Sequence, residues 1–421
     1  MLEKKLASPG TGDGIATATD DGSQVPAVGR FADRLLLRGL HEGLCRLASD
    51  RLQIVLPSGA AAFIGPAEHP CSASMQIRSY RALWRIARGG ALGFAECFMD
   101  GDVTTGDLKA LFEFCLKNER ALMAALPQLY GARERDRLWH KWKRNTRAGS
   151  RRNIAAHYDL GNAFYAEWLD AGMIYSSAIF DRPGMSLEEA QGLKVERILS
   201  ALELSEGHRL LEIGCGWGAL AVAAARRGAV VDAITISSEQ LDATLARIDR
   251  EGMAARARAR FTDYRDTAGT FDRVVSVEMI EAVGEEHWPT YFATIADRLG
   301  RNGVAVLQAI TIREDTFEHY RRNPDFIQRY VFPGGMLPTI GLMQKNASAA
   351  GLTFEIVERF GQSYALTLSE WRARFEAAWP RLSMMGFDER FRRTWLYYLI
   401  YCEVGFANGL IDVGLYRLRK G

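Results

Sequence analysis

The sequence predicts an α/β protein built on a doubly wound, mainly parallel sheet with helical insertions. Residues 210–218 read LLEIGCGWG, so a short apolar run leads into three alternating glycines and then into a helical pattern. Four more strand-like runs follow between residues 230 and 312, most of them separated by helical stretches. This alternation is typical of parallel strands joined by right-handed crossovers. Such sheets bind ligands beyond the carboxyl ends of their strands, which makes the glycine turn a candidate site, although alone it also fits a plain tight turn.

Composition and charge are those of an ordinary globular protein. The 421 residues are 48% hydrophobic and 25% charged, with a net charge of +2, so nothing in the overall charge favours nucleic acid as a partner. Six cysteines without a CxxC pair and seven histidines without HExxH spacing predict a reducing compartment and no metal site. Because we find neither a signal-peptide pattern nor an 18-residue apolar run, we expect a cytoplasmic protein, peripheral at the inner face of a membrane.

The amino-terminal part divides into a tail and a small domain. Residues 1–28 are rich in Gly, Ser, Thr and Asp, which predicts disorder. Residues 29–148 contain an amphipathic helix, two strands joined by a Pro-Ser-Gly turn, a further strand that enters a helix, and helices around a Gly-Asp break. No catalytic constellation is visible in this α+β domain. We therefore expect it to contact lipid or to mediate homodimerisation.

The small domain ends in a basic stretch. Residues 133–152 hold nine basic and two acidic residues, interleaved with Trp139 and Trp142. Tryptophans among basic residues suit an anionic membrane surface, where the rings lie at the level of the headgroups. A solvated helix between domains explains the same pattern and stays open as the alternative.

Residues 149–421 form the predicted catalytic domain. An early helix begins at SLEEAQG, where Ser186 and Glu189 have the spacing of a capping box. The five predicted strands are RLLEIG, VVDAITI, RARFTDY, FDRVVSV and GVAVLQAITI. An insertion at 313–350 follows, and two last strand-like runs, FEIVERFG and VGLYRLR, flank aromatic-rich helical segments.

Polar residues lie at or just after the carboxyl end of each predicted strand. In strand order they are Glu212 with the glycines, then Thr235, Ser237 and Gln240, then Asp263 and Tyr264, then Glu278 and Glu281, then Gln308. Any one of them is ordinary on the rim of a sheet. Five consecutive strand ends around one glycine turn predict an S-adenosylmethionine site.

The residue types suit the parts of that cofactor. Thr235 and Gln240 can bond ribose hydroxyls without adding charge, Asp263 can accept from the adenine amino group, and the Tyr264 ring can stack on it. Aromatic faces such as those of Tyr175 and Trp217 tolerate a sulfonium cation.

Six motifs carry a resemblance to a known family. HYDLGNAFYAEWLD, MIYSSAIF, LLEIGCGWG, SVEMIEAVG, FIQRYVFPGG and SYALTLSEW occur in this order and are similar to the cyclopropane-fatty-acyl-phospholipid synthases. Relatives of that family include mycolic acid cyclopropane synthases and fatty-acid C-methyltransferases. The resemblance implies a class I methyltransferase (Rossmann-like) domain behind a small amino-terminal domain, which GFAECFMDGDV matches more loosely.

The resemblance also implies a cofactor, a substrate and site residues. The strand ends and the resemblance together give the expected S-adenosylmethionine contacts: Tyr175, Ser176, Glu212, Gly214, Gly216, Trp217, Gly218, Thr235, Ser237, Gln240, Asp263, Tyr264, Arg265 and Glu278. The implied substrate is an unsaturated acyl chain of a membrane phospholipid, whose double bond takes the methyl group and becomes a carbocation. In ring-forming members a bound bicarbonate then removes a proton. The residues that hold it correspond here to Ser177, Glu281, Gln308, Ile310 and Tyr364.

Two positions depart from the commonest family pattern. The usual cysteine is Ser177 and the usual histidine is Gln308, which cannot carry charge or relay a proton. The expected product is a cyclopropane fatty acid, and we expect Glu281 first and Tyr364 second at the proton-abstracting site. A methyl-branched or methylene product without ring closure, and a non-enzymatic lipid-binding member, remain the alternatives.

Overall fold

The computed structural model describes residues 33–34, 36–38, 50–125 and 160–420. The predicted tail at 1–28 and the basic stretch at 133–152 lie outside these residues. These residues include the sheet of the small domain and the catalytic domain from residue 160 to residue 420. Among the described helices, none is long and apolar enough to cross a bilayer.

The small domain contains a four-stranded sheet in the order β2-β1-β3-β4. Its strands are β1 Arg51–Val55, β2 Ala61–Ile64, β3 Cys71–Ile77 and β4 Val103–Thr104. β1 pairs antiparallel with β2 across the predicted Pro-Ser-Gly turn and parallel with β3. Its helices are α1 Tyr80–Met99, α2 Leu108–Lys117 and α3 Glu119–Ala125.

The catalytic domain contains a seven-stranded sheet in the order β10-β11-β9-β8-β5-β6-β7. The strands are β5 Arg209–Ile213, β6 Val230–Thr235, β7 Ala257–Phe261, β8 Phe271–Val277, β9 Leu299–Ile312, β10 Leu352–Arg359 and β11 Ile411–Lys420. β5 to β9 run parallel, and β10 and β11 add an antiparallel edge. The predicted α/β sheet and its five parallel strands are thus confirmed.

Helices cover both faces of this sheet. They are α4 Asn162–Ala166, α5 Leu187–Ala201, α6 Ala219–Arg226, α7 Ser238–Arg250, α8 Trp288–Arg298, α9 Glu314–Arg322, α10 Ile340–Ala349, α11 Gly361–Met384 and α12 Glu389–Ala407. The predicted capping box begins α5: Ser186 Oγ accepts from the backbone N–H of Glu189, and the Glu189 side chain accepts from the backbone N–H of Ser186. Both donors would otherwise lack partners at the helix start.

The glycine turn joins β5 to α6 in a backbone that only glycine adopts easily. Gly214, Gly216 and Gly218 have φ values of +83°, +51° and +81°. A Cβ on Gly218 would lie 2.8 Å from Thr244 Cγ2, so its missing side chain also lets α6 and α7 approach each other. The turn leaves the ends of β5 and β6 open to a ligand.

The small domain packs against α12 of the catalytic domain. Phe112 meets Tyr397 edge to face with ring centroids 4.9 Å apart. Lys109 Nζ lies 2.7 Å from the buried Glu403 carboxylate, which also accepts from Arg372. These contacts join the small domain to the catalytic domain through α12.

Candidate active site

A cavity of about 1310 Å³ connects the rim of the seven-stranded sheet with the small domain. Apolar and aromatic side chains dominate its lining, including Ile54, Ile77, Phe94 and Phe114 of the small domain. A cavity of this size and character holds a small cofactor together with a long apolar chain.

Most of the predicted cofactor residues line the sheet end of this cavity. They are Tyr175, Ser176, Glu212, Gly214, Gly216, Trp217, Thr235, Gln240, Asp263, Tyr264, Arg265 and Glu278. Gly218 and Ser237 lie outside the lining: Gly218 starts α6 in the left-handed conformation, and Ser237 caps α7 by accepting from the Gln240 N–H at 3.3 Å.

The predicted ribose and adenine groups are held by their neighbours. Thr235 Oγ1 and Gln240 Oε1 lie 3.1 Å apart, which fixes both side chains at the end of β6. The Asp263 carboxylate accepts from Arg265 Nε at 2.8 Å and Nη2 at 2.6 Å, and the guanidinium lies over the Tyr264 ring. Tyr264 Oη has no hydrogen-bond partner among the described residues, and burial raises the pKa of this phenol to about 12.

Aromatic rings around Tyr175 form a wall at the cofactor end of the cavity. The Tyr175 and Tyr398 hydroxyls lie 2.9 Å apart, and the Tyr175 ring centroid is 5.2 Å from that of Trp371. Trp217 Nε1 donates to Asn162 Oδ1 at 2.7 Å. The rings are therefore held in place, and their faces are suited to a cationic group.

Glu278 forms the centre of the polar part of the site. Its Oε1 accepts from the Ser177 backbone N–H at 2.9 Å and from Gln308 Nε2 at 2.7 Å, and its Oε2 accepts from the Tyr364 hydroxyl at 2.7 Å. Glu278 also has a φ of +47°, which is unusual for a residue with a side chain. Desolvation raises the pKa of its carboxyl, while the three hydrogen bonds and Lys194 oppose the rise.

The Glu278 carboxylate thus occupies donors that the family resemblance assigns to bicarbonate. Ser177 and Gln308, at 0% and 1% exposure, lie behind the cavity lining and both bond this carboxylate. Tyr364 lines the cavity and bonds it too. Because these donors already hold an anion that belongs to the chain, they do not fit an additional bicarbonate.

Glu281 lies beside this cluster with a different partner. Its Oε1 accepts from the Ile310 backbone N–H at 2.6 Å, whereas its Oε2 is buried without a hydrogen-bond partner among the described residues. Desolvation, and then the nearby Glu278 charge, raise the pKa of Glu281 to about 8. The two carboxylates that the sequence places three residues apart therefore have separate environments.

The sequence interpretation missed Lys194. This lysine lies on α5, is 2% exposed and donates from Nζ to Ser176 Oγ at 2.7 Å. The available signal was its position on the buried stripe of α5, which includes Leu187, Gln191 and Ile198.

The described residues fit S-adenosylmethionine. Glu212 Oε2 is buried without a hydrogen-bond partner among the described residues, beside the open glycine turn. Such an oxygen is suited to the ammonium group of the cofactor's amino-acid end. Burial raises the pKa of this carboxyl to about 8, against the pull of Lys194.

Comparisons with known proteins agree with this geometry. The family model described as Mycolic acid cyclopropane synthetase matches residues 145–415. The tuberculostearic acid methyltransferase UfaA1 of Mycobacterium tuberculosis is 37% identical over 88% of this chain and 88% of its own length. The cyclopropane-fatty-acyl-phospholipid synthase of Escherichia coli K12 is 33% identical over 79% of this chain and 84% of its own length.

A solved structure is similar over the catalytic domain. The mycolic acid cyclopropane synthase CmaA1, complexed with SAH and CTAB, has a TM-score of 0.61 and 32% identity, covering 64% of this chain and 98% of that protein.

Proposed function

We propose, since this chain belongs to the mycolic acid cyclopropane synthetase family, that it methylates the double bond of an unsaturated acyl chain in a membrane phospholipid. The chain is an S-adenosylmethionine-dependent methyltransferase of lipid-modifying type. The phospholipid and the product are the parts we propose. The single observation that carries the mechanism is the hydrogen bonding of Glu278.

In this proposal the carboxylate of Glu278 is the proton acceptor, and bicarbonate has no role. When bound, S-adenosylmethionine supplies the electrophilic methyl group. Ser177 and Gln308 hold Oε1 of Glu278. Oε2, whose one hydrogen-bond donor among the described residues is Tyr364, is left as the atom that takes the proton. The tyrosine then keeps the carboxyl oriented, and the aromatic wall around Tyr175 tolerates the substrate cation.

Two products are compatible with proton removal at this position. Ring closure and methylene formation both take a proton from the added methyl group, and the methylene product requires a hydride shift within the chain first. The product without ring closure is our first candidate, because Gln308 departs from the commonest family pattern and because UfaA1, which matches over 88% of both chains, is named as a methyltransferase. The cyclopropane product is the second candidate, favoured by the relative from E. coli.

The charge distribution of the cavity supports an acyl chain as the part of the substrate that enters. Among the described residues, the basic side chains of the lining are Lys194, Arg265 and His319, and the first two lie at the cofactor end. No cluster of cations is therefore available inside for a lipid phosphate. We infer that the headgroup stays outside.

The small domain offers a surface where that headgroup can lie. Trp84 lines the cavity and is nevertheless 60% exposed, so the cavity reaches the surface there. The Arg88 guanidinium lies 4.2 Å from the centre of the Trp84 ring. A tryptophan paired with an arginine at the cavity mouth suits an anionic membrane surface, which we propose as the contact of this domain.

The test uses purified protein, S-adenosylmethionine labelled in its methyl group, and vesicles of an unsaturated phosphatidylglycerol. We expect label in the acyl chain and, by NMR, methylene protons rather than ring protons. Ring protons would select the second candidate, and a lipid fraction without label would reject methyl transfer to phospholipid.

Variants then test the proton acceptor. Glu278→Gln keeps the shape but cannot take a proton, so we expect a fall in turnover of roughly 10²- to 10⁴-fold. The matched control is Glu206→Gln, whose side chain is 79% exposed. Normal turnover in Glu278→Gln, or a loss seen only in Glu281→Gln, would refute the assignment.

A further inference from the structure

Lys194 is a buried cation that the proposed reaction does not use. It lies on α5 with 2% of its surface exposed, and its ammonium donates to Ser176 Oγ at 2.7 Å. It lines the cavity beside Ser176, Glu212 and Gly214, so it belongs to the cofactor end. An ammonium group in such a place is costly unless it has an anionic partner.

The described carboxylates near Lys194 do not supply that partner. Asp170, Glu212 and Glu278 act on its charge from a distance, but none of them forms an ion pair with Nζ within the described part of the chain. Asp170 is engaged by the backbone N–H groups of Gly172 and Ile174, and Glu278 by the three donors described above. Within the described residues, the one hydrogen-bond acceptor of the ammonium is the neutral hydroxyl of Ser176.

Ser176 is fixed by hydrogen bonds at both its backbone carbonyl and its side-chain hydroxyl. Gln191 Nε2 donates to the Ser176 carbonyl at 2.9 Å, so two side chains from α5 fix this residue. Because Lys194 donates to Ser176 Oγ, the hydroxyl hydrogen of the serine is free to be given to another acceptor. A lysine that donates to a serine makes that serine a better donor to an anion.

The cofactor end therefore presents a donor and an acceptor at separate points. Lys194 and Ser176 form the donor point, and Glu212, whose Oε2 has no hydrogen-bond partner among the described residues, forms the acceptor point. The amino-acid end of S-adenosylmethionine is a zwitterion with one carboxylate and one ammonium group. We propose that Lys194 is a positioning residue that binds the carboxylate of this zwitterion, acting mainly through Ser176, while Glu212 takes the ammonium group.

This inference rests on the proposed function only through its cofactor, and it makes no use of the lipid. Burial lowers the pKa of Lys194 to about 8, and the three carboxylates act in the opposite sense. A bound carboxylate would favour the charged form of the lysine further, in keeping with this assignment.

The test compares two ligands that differ in the amino-acid end. S-adenosylhomocysteine carries it, whereas 5′-methylthioadenosine lacks it and keeps the adenosine and sulfur. Binding of both to the full chain is measured by calorimetry. In Lys194→Met we expect affinity for S-adenosylhomocysteine to fall roughly 10- to 100-fold, and affinity for methylthioadenosine to stay within about twofold.

Two further variants keep the result interpretable. Lys345→Met removes an exposed lysine of α10 and should change neither affinity. Ser176→Ala removes the hydroxyl through which Lys194 acts and should weaken the binding of S-adenosylhomocysteine but not that of methylthioadenosine. This variant tests the proposal if Lys194→Met does not fold. An equal loss for both ligands would show a purely structural lysine, and no loss for either would also overturn the proposal. Wild-type protein that binds S-adenosylhomocysteine but does not label lipid would instead contradict the proposed substrate.

Discussion

The Tyr364 hydroxyl donates to Glu278 Oε2 across 2.7 Å, which joins the first turn of α11 to the end of β8. The two residues are 86 positions apart in the chain. Their contact brings the polar part of the site together on the rim of the sheet, next to the aromatic wall. It also gives the carboxylate a fixed direction, because Ser177 and Gln308 hold its other oxygen.

Removing this hydroxyl should slow the reaction more than it loosens the fold. In Tyr364→Phe the ring still packs against Phe406, whose centroid is 4.3 Å away, but Glu278 loses one of three donors. We expect turnover to fall roughly 10- to 100-fold, since hydrogen bonds to charged groups contribute about 1.5–3 kcal/mol. Steady-state kinetics measures the loss. Unchanged turnover in a variant with a normal melting curve would contradict the role of the tyrosine.

Truncating Glu278 should convert the site into one that depends on an added anion. Glu278→Gly leaves the donors of Ser177, Gln308 and Tyr364 without their acceptor, and glycine accepts the φ of +47° without strain. We expect bicarbonate or formate in the buffer to restore part of the lost turnover. Glu278→Gln, which fills the same space, serves as the control and should not be rescued. Equal responses of the two variants would count against an anion site built around this carboxylate.

The raised pKa of Glu281 predicts a pH dependence of stability. The folded state keeps this carboxyl protonated up to about pH 8, whereas the unfolded chain loses the proton near the ordinary pKa of 4.5. Between these values the folded state binds more protons, so the stabilisation is complete below about pH 4.5 and is lost as the pH rises toward 8. Urea denaturation of the wild type and of Glu281→Gln should show a steeper decline over this window in the wild type. If the stability of the two proteins changed with pH in parallel, the raised pKa assigned to Glu281 would be contradicted.

Part of this site follows from the sequence and part does not. Thr235, Gln240 and Tyr264 are readable because each lies at or close to the end of a predicted strand, and parallel strands end at the same edge. The sequence places Glu278 at the end of a strand but does not reveal its hydrogen bonds, because its donors come from residues 101 positions earlier, 30 later and 86 later, and no local pattern specifies that they converge. Lys194 could have been predicted as a site residue from the sequence, since a lysine on the apolar stripe of a helix needs a polar partner in the interior.

The shared cavity is likewise a property of the packing. The sequence predicts a small domain in front of the catalytic domain, but not that residues such as Phe94 and Phe114 continue the lining that begins at the glycine turn. That continuity depends on α12, whose Tyr397 lies against Phe112. The small domain therefore takes part in forming the place where the acyl chain is proposed to lie.

The buried Glu403 should stabilise the contact between the domains. Its carboxylate bonds Lys109 Nζ at 2.7 Å and Arg372 Nε at 3.2 Å, and 2% of its side chain is exposed. Glu403→Gln removes the counter-charge of Lys109 and the nearer of the two carboxylates beside Arg372, so we expect the free energy of unfolding to fall by about 1–3 kcal/mol, less than for a fully buried pair because both cations are partly exposed. Glu376→Gln is the matched control, since Glu376 lies 3.7 Å from the same arginine but is 44% exposed. Urea denaturation should show almost no change in the free energy of unfolding for Glu376→Gln. Equal losses in the two variants would refute a special role for Glu403.

The close approach of α6 and α7 can be tested at Gly218. Both Gly218→Ala and Gly207→Ala place a side chain on a backbone with a φ of +81°, but a Cβ at 207 meets nothing within 4 Å, whereas at 218 it lies 2.8 Å from Thr244 Cγ2. The difference between the two variants therefore isolates the contact with Thr244 from the backbone strain. Thr244 is fully buried and its Cα lies 3.3 Å from the same position, so it cannot move aside, and we expect Gly218→Ala to be less stable than Gly207→Ala by about 1–3 kcal/mol. Adding Thr244→Ser removes Cγ2 and should recover part of this difference in a double-mutant cycle, whereas full additivity of the two changes would exclude the steric explanation.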